Sequence, residues 1–310
     1  MAIDSNGLKL LLWAKSLGAS YKKTITLGRQ GVTFTLGDLY RAVKECGQTI
    51  SQQKAEECFK KSPMTGLYAE GLFSALGAEE LVSVDRSSFE GASCLHDLNN
   101  PFPANMHHSF DMVIDGGTLE HIFNYPNALR NSMHLVRNGG HFVTIAPANS
   151  LLGHGFYQIS PELFFRVFNN SNGFQLIKIV LFSADTKFAT FYEVTDPAIC
   201  GSRVELADSQ PMYLAVIAKR TNENPLLDAQ IQQSDYVAVW NSHVNDSTSA
   251  HPKTDLLSKL RIKLNPYWPA WLYSIRTTIR GLVRTKTNKI SHRPFYRPVA
   301  ASEFKGVARK

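Results

Sequence analysis

Phe110–Asn149 reads FDMVIDGGTLEHIFNYPNALRNSMHLVRNGGHFVTIAPAN, and its pattern decides the fold. Phe110, Met112, Val113 and Ile114 form an apolar run of the kind a parallel strand shows when both faces are buried. Asp115-Gly116-Gly117 stops the run as a loop at the strand's carboxyl end. Leu129, Met133, Leu135 and Val136 recur at roughly helical spacing, and Asn138-Gly139-Gly140 predicts the helix stop. Phe142, Val143, Ile145 and Ala146 then predict a strand closed by Pro147. A strand–helix–strand unit of this length is a right-handed crossover that brings Asp115 and Pro147 to one edge of the sheet. That edge is where open α/β sheets bind ligands.

Working outward, Thr24–Leu27 predicts a first strand, followed by the turn Gly28-Arg29-Gln30-Gly31. Residues 31–66 are a polar, helical insertion, and Tyr68–Gly77 a helix against the sheet. Leu81, Val82 and Val84 predict a second strand ending in Asp85, and Cys94–Leu98 a brief third strand containing Asp97. Pro161–Asn169 is a helix with Ser160 placed as its N-cap. Phe174–Phe182 and Met212–Ala218 are two last strands, expected as an antiparallel pair at one edge. The expected architecture is an α/β, Rossmann-like, doubly wound and mostly parallel seven-stranded sheet with an antiparallel edge strand. Residues 1–220 would form that domain, 221–254 a polar linker and 255–310 a basic aromatic tail.

At 310 residues with 44% apolar and 19% charged side chains, the chain can bury one large core and carry an appendage. Cys46, Cys58, Cys94 and Cys200 show no paired spacing, which argues against a zinc site or a disulfide framework. A cytoplasmic setting is expected. Leu10-Leu11-Leu12-Trp13 is too short to span a membrane and reads as an amphipathic helix packed on the domain. From His251 on, seven Lys and seven Arg face Asp255 and Glu303, a local charge of +12. With +7 for the whole chain, the first 250 residues carry −5, so the basic character belongs to the tail. There, Trp268, Trp271 and Tyr273 interleave with Lys259, Arg261, Lys263, Arg276 and Arg280, which suits an anionic membrane surface and a peripheral location. Nucleic acid is disfavoured because aliphatic residues outnumber what stacking needs. The chain after Lys253 is expected to be dispensable for folding.

Asp85, Asp97 and Asp115 each follow a strand. Any one of them could simply be a turn former; the three in register point to the ligand edge. Here the segment from Thr24 to Lys219 resembles the class I S-adenosylmethionine-dependent methyltransferases. The likeness is carried by VIDGGTLEHI (113–122), by Asn138-Gly139-Gly140 and by HDLNNPFP (96–103). The resemblance implies S-adenosylmethionine as cofactor. Its contacts would come from Thr26, Gly28 and Gln30 in the first loop, Asp85 and Arg86 after the second strand, Asp97 and Leu98 after the third, and Asp115 and Gly116 after the fourth. The family's first loop carries an acid and several glycines, whereas this chain has Thr26-Leu27-Gly28-Arg29-Gln30. Gly28 keeps the place where backbone approaches the methionine moiety.

His154 lies between Gly153 and Gly155 in the loop after the fifth strand, and an imidazole titrates near neutrality. It is the candidate general base for a hydroxyl acceptor, with Tyr157 orienting that acceptor. Glu120-His121 reads as the start of the next helix, with Glu120 favouring the helix dipole. His96, His107 and His108 match no standard metal spacing, so no metal is expected. The function expected is O-methylation of a small-molecule or glycan-type acceptor. The alternative is a methyltransferase-shaped binding or scaffold protein without productive cofactor binding. A nicotinamide enzyme is disfavoured because no GxGxxG follows the first strand.

Overall fold

The structure is a computed structural model that describes residues 2–59, 67–207, 209–228, 230–248, 275, 278–279, 289–291 and 294–306. The chain divides into two compact units. The first comprises Met1–Val194, Gln210–Ile231 and Pro298–Lys310, the second Thr195–Ser209 and Gln232–Arg297.

The first unit is built on a mostly parallel sheet. β2 (Lys23–Leu27), β4 (Glu80–Asp85), β5 (Cys94–Leu95), β6 (Phe110–Asp115) and β7 (Val136–Asn149) pair in parallel in the order β7-β6-β2-β4-β5. Every residue of β6 is buried, as its continuous apolar run requires. Beyond β7 come β10 (Met212–Arg220), β8 (Phe174–Ser183) and β9 (Tyr192–Val194). β10 runs antiparallel to both β7 and β8, and β9 antiparallel to β8. The expected antiparallel pairing of the last two strands is present, but β10 lies inside the sheet and not at its edge. Ile217, Ala215 and Leu214 of β10 are fully buried, so only an interior position satisfies both of its faces. β9 adds a strand beyond the seven expected.

Helix α5 (Tyr125–Leu135) runs straight into β7 at Val136. Asn138-Gly139-Gly140 is thus not the end of a helix but an irregularity in the strand, where β6–β7 pairing shifts register. Gly139 has φ 80°. A Cβ on Gly140 would lie 2.9 Å from the Phe110 carbonyl oxygen, closer than real side chains come.

The N-terminus contributes an element absent from the expected layout. β1 (Ala2–Ile3) pairs in parallel with β3 (Gly31–Val32), pinning the chain start to the first loop. Helix α1 (Ser5–Ser16) follows, with Asp4 accepting a hydrogen bond from Gly7 N at 2.7 Å as N-cap. It is buried on all sides from Ser5 to Ala14, so it is a core helix and not the amphipathic one expected. The insertion supplies its cover through α2 (Leu36–Glu45), which opens with a capping box of Thr35 and Asp38, and α3 (Gln52–Glu57). Helix α4 (Glu70–Leu76) ends at Gly77 in the left-handed conformation.

The end of the expected tail also belongs to this unit. Trp13 Nε1 donates to the Glu303 carbonyl at 2.9 Å, Ser16 Oγ to the Phe304 carbonyl at 2.7 Å, and the Phe304 ring lies 4.7 Å from Trp13. A Cβ on Gly306 would collide with the Ser16 carbonyl oxygen. Residues 298–306 therefore pack on α1, which corrects the boundary of the tail at 255 and argues against its dispensability. Trp268, Trp271 and most of the tail's basic residues lie outside the described residues.

In the second unit, α6 (Pro197–Cys200) is capped by Asp196, and α7 (Ser234–Thr248) is helical where a linker was expected. Arg203 Nε lies 2.6 Å from Asp235 Oδ2 within this unit. No helix among the described residues is long and apolar enough to cross a membrane.

Candidate active site

The carboxyl ends of the parallel strands carry the expected acids, and the chain itself already uses each of them. Asp85 is half-buried and accepts from Ser87 N at 3.1 Å. Asp97 Oδ1 accepts from Asn99 N at 3.0 Å and Asn99 Nδ2 at 2.8 Å, and the backbone bond first among these holds its carboxyl below the usual range. Arg86 is largely exposed, its Nε 3.7 Å from Asp97 Oδ2. Leu98 is buried, and its carbonyl accepts from Asn127 and Asn131. Asp115 is not an acid offered to a ligand. It is 1% exposed, Oδ1 accepts from Thr118 N at 2.7 Å, and Oδ2 accepts from the Thr144 hydroxyl at 2.7 Å. Burial pushes its pKa up against those hydrogen bonds. Asp115 thus shapes the turn after β6, which corrects its expected place among the cofactor contacts.

The first loop is built differently from a glycine-rich one. Gly28 has φ 71° and donates to the Val84 carbonyl at 2.7 Å. Arg29 stacks over Tyr68 and reaches Glu70 at 2.7 Å. Gln30, 2% exposed, turns back under the loop. Its Nε2 donates to the carbonyls of Leu27 at 2.7 Å and Gly28 at 3.3 Å. Its Oε1 has no hydrogen-bond partner and rests against Gly116, where any Cβ would collide with it. Thr26, Arg29 and Gln30 line one cavity of about 240 Å³ together with Phe73, Ser83 and Ser93.

A second cavity of about 270 Å³ is lined by Asp4, Gly116, Gly117, Glu120, His154 and Tyr213 among others. Leu119–His121 form a short 3-10 turn, and α5 begins only at Tyr125, so Glu120 does not serve the helix dipole. Glu120 is fully buried and neither carboxylate oxygen accepts a hydrogen bond. Burial, then the Asp115 carboxylate, pushes its pKa up to about 8. His154 Nε2 lies 3.4 Å from Glu120 Oε1 and His121 Nε2 lies 4.0 Å from it. Gly155, at φ 76°, lets the loop after β7 pass over this group. A Cβ there would lie 2.9 Å from the Glu120 carbonyl oxygen and 3.1 Å from His121 Nδ1. Phe156 N then donates to the Glu120 carbonyl at 2.8 Å. Burial raises the Tyr213 hydroxyl's pKa, with Glu120 adding to it.

The structure therefore brings His154 to the ligand edge but gives Tyr157 a different task. The Tyr157 hydroxyl donates to the Phe123 carbonyl at 2.7 Å and its ring lies 5.4 Å from Tyr125. It braces the loop before α5. Glu120 was passed over because an acid after a strand and before a helix looks like a dipole partner. The signal that could have found it is its apolar setting between Leu119 and Ile122, opposite a Gly-His-Gly.

No family model matches the chain, and no curated protein does. Solved structures are similar to it at low identity. A putative S-adenosylmethionine-dependent methyltransferase from Listeria monocytogenes shares 11% identity, with 69% of this chain and 99% of that one covered and a TM-score of 0.37. N-methyltransferase NodS from Bradyrhizobium japonicum shares 9%, covering 70% and 96%, with a TM-score of 0.36. The branched-chain polyamine synthase from Thermus thermophilus shares 12%, with 74% of this chain covered and a TM-score of 0.33; this chain spans 60% of that protein's length. The fold itself is read from the strand order: a doubly wound, mostly parallel α/β sheet with its ligand edge at Gly28, Gly116 and His154.

Proposed function

We propose that the chain transfers a methyl group from S-adenosylmethionine to an oxygen of a small-molecule acceptor. One observation carries the reading: a cavity beneath the first loop is lined by Gln30, whose Oε1 rests against Gly116, and Gly116 in turn lines a second cavity beside Glu120 and His154. A donor and an acceptor that meet in line need such adjoining sites, because most of the enzyme's contribution is positioning.

On the cofactor side, Gln30 Oε1 is an acceptor waiting for a donor, and the ammonium of the methionine moiety would supply one. The ribose is assigned to Asp85, whose carboxylate stands at the end of β4. On the acceptor side, His154 is the group placed to take the hydroxyl proton as the methyl arrives, an effect typically worth about 10²–10⁴ in rate. Exposed Phe123 and Phe156 pack on each other, with Phe156 N bonded to the Glu120 carbonyl, and favour an acceptor with an apolar portion.

The competing reading, a methyltransferase-shaped binding protein, is favoured by the Gln30 side chain resting against Gly116. Turnover decides between them. Labelled methyl transfer should be found with the wild type over a panel of hydroxylated acceptors. His154→Gln should lose about 10²–10⁴ in kcat while retaining cofactor binding. A wild type that binds the cofactor yet transfers nothing across the panel supports the binding-protein reading. A His154→Gln variant with normal turnover removes His154 from proton transfer.

A further inference from the structure

The acceptor-side cavity contains a chemistry that methyl transfer does not by itself demand. Glu120 is a carboxylate taken wholly out of water, with neither oxygen accepting a hydrogen bond. Buried carboxylates are kept by partners, since an unpaired one costs several kcal/mol. The groups facing it are two imidazole nitrogens, His154 Nε2 at 3.4 Å and His121 Nε2 at 4.0 Å, and the donor atoms of the three residues all lie within 4.8 Å of one another. Among the described residues this is the only group of three His, Cys, Asp or Glu side chains so placed.

From this convergence we infer that Glu120, His121 and His154 form a binding site for a first-row divalent transition-metal ion, with Zn²⁺ or Co²⁺ as its simplest occupants. Two imidazoles and one carboxylate are a borderline donor set that suits these ions, whereas Mg²⁺ and Ca²⁺ prefer oxygen alone. Ligand distances of about 2.0–2.2 Å place neighbouring donors of a tetrahedral ion about 3.4 Å apart. Glu120 and His154 already stand at that spacing, and His121, half-exposed on the turn at 4.0 Å from Glu120 and with all three donors within 4.8 Å of one another, must close in to complete the set. The loop geometry fixes the set: Gly155 carries backbone directly over Glu120, and the Phe156 N–H bond to the Glu120 carbonyl holds it there. Three protein ligands leave a coordination position for water or an acceptor oxygen, toward the cavity that Tyr213 also lines.

The site rests on its own donors and not on the methyl-transfer reading. It departs from the expectation of no metal, which was drawn from His96, His107 and His108. It also constrains His154: a nitrogen bound to an ion has no lone pair for a proton. The ion-loaded and ion-free chains would therefore differ in whether His154 can act as a base.

The test uses the full chain, stripped with a chelator and titrated with Zn²⁺ alone by calorimetry, then with Co²⁺ alone by visible absorption. One equivalent should bind, and the Co²⁺ form should show the intense ligand-field bands of a four-coordinate site. His121→Ala and His154→Ala, at partly exposed positions, should each weaken binding at least tenfold with the fold intact by circular dichroism, and the double variant should abolish it. No stoichiometric binding to the wild type overturns the site, and so does undiminished binding to the double variant. Because neither cofactor nor acceptor is present, failure of the methyl-transfer reading leaves this result untouched.

Discussion

Gln30 rests against Gly116 and Glu120 lines a cavity together with Gly116; each has a buried side-chain oxygen without a hydrogen-bond partner, and they differ in charge and in anchorage. The Gln30 amide is neutral and is tied at its other end by two carbonyls, Leu27 and Gly28. The Glu120 carboxylate has no such tie and looks at two imidazoles. An unpaired neutral acceptor costs about 1–3 kcal/mol, and an unpaired charge considerably more. The first oxygen is therefore satisfied by any bound donor. The second calls for a positive charge, whether a proton, an imidazolium or a metal ion. One edge of one sheet thus offers a site for an organic cation beside a site for a proton or metal.

The largest expected effect calibrates this comparison by lying away from both oxygens. Phe304→Ala removes a buried ring from Trp13 and Phe191 and should lower stability by about 3–5 kcal/mol in urea unfolding. A variant that unfolds no earlier than wild type would show that residues 298–306 do not belong to the first unit's core.

Next in size is a buried histidine that serves neither site. His141, 3% exposed on β7, has its pKa pushed down to about 4 by burial and then by Lys219. A depressed histidine stabilises the fold above its unfolded pKa of about 6.5 and loses that contribution as pH falls toward 4. Between pH 7 and pH 5 the wild type should lose about 2 kcal/mol that His141→Gln keeps. Equal slopes for the two proteins would mean that His141 is protonated within the fold.

The smallest effects compare the two oxygens themselves, in ion-free protein without cofactor. Gln30→Leu loses two hydrogen bonds, although the Leu27 carbonyl still accepts from the Thr118 hydroxyl at 2.6 Å, so its Tm should fall by the equivalent of about 1–3 kcal/mol. Glu120→Gln keeps the shape and removes an acid that burial forces to stay protonated well above its usual range, so at pH 7 its Tm should rise by a similar amount. Shifts of the same sign would break the comparison.

Much of this architecture was legible in residues 110–149, because a strand buried on both faces writes a continuous apolar run. Phe110–Asp115 falls where that pattern placed it, whereas the helix is shorter at both ends than expected, Tyr125–Leu135. What stayed hidden was set by partners distant in sequence. Ala2–Ile3 is too short to show a period, and it becomes a strand only through Gly31–Val32. Phe304 is a single aromatic in a polar, basic context, and its burial depends on Trp13, far away along the chain. At the ligand edge, the Asp-Gly-Gly and Gly-His-Gly loops could be placed from sequence. Which acids face inward could not: Asp115 spends both oxygens on the turn and Thr144, while Glu120, read as a helix-start acid, keeps both without a hydrogen bond.

Calorimetric titration of wild type and Gln30→Leu with S-adenosylhomocysteine, with NAD as a control, bears most directly on the claim that this edge is a methyl-donor site. The account predicts one-to-one binding to the wild type and none of NAD. Gln30→Leu should bind about 10–100-fold more weakly, the loss of one hydrogen bond to a charged group. A folded wild type that binds no S-adenosylhomocysteine, or a Gln30→Leu variant that binds it equally well, would contradict the assignment.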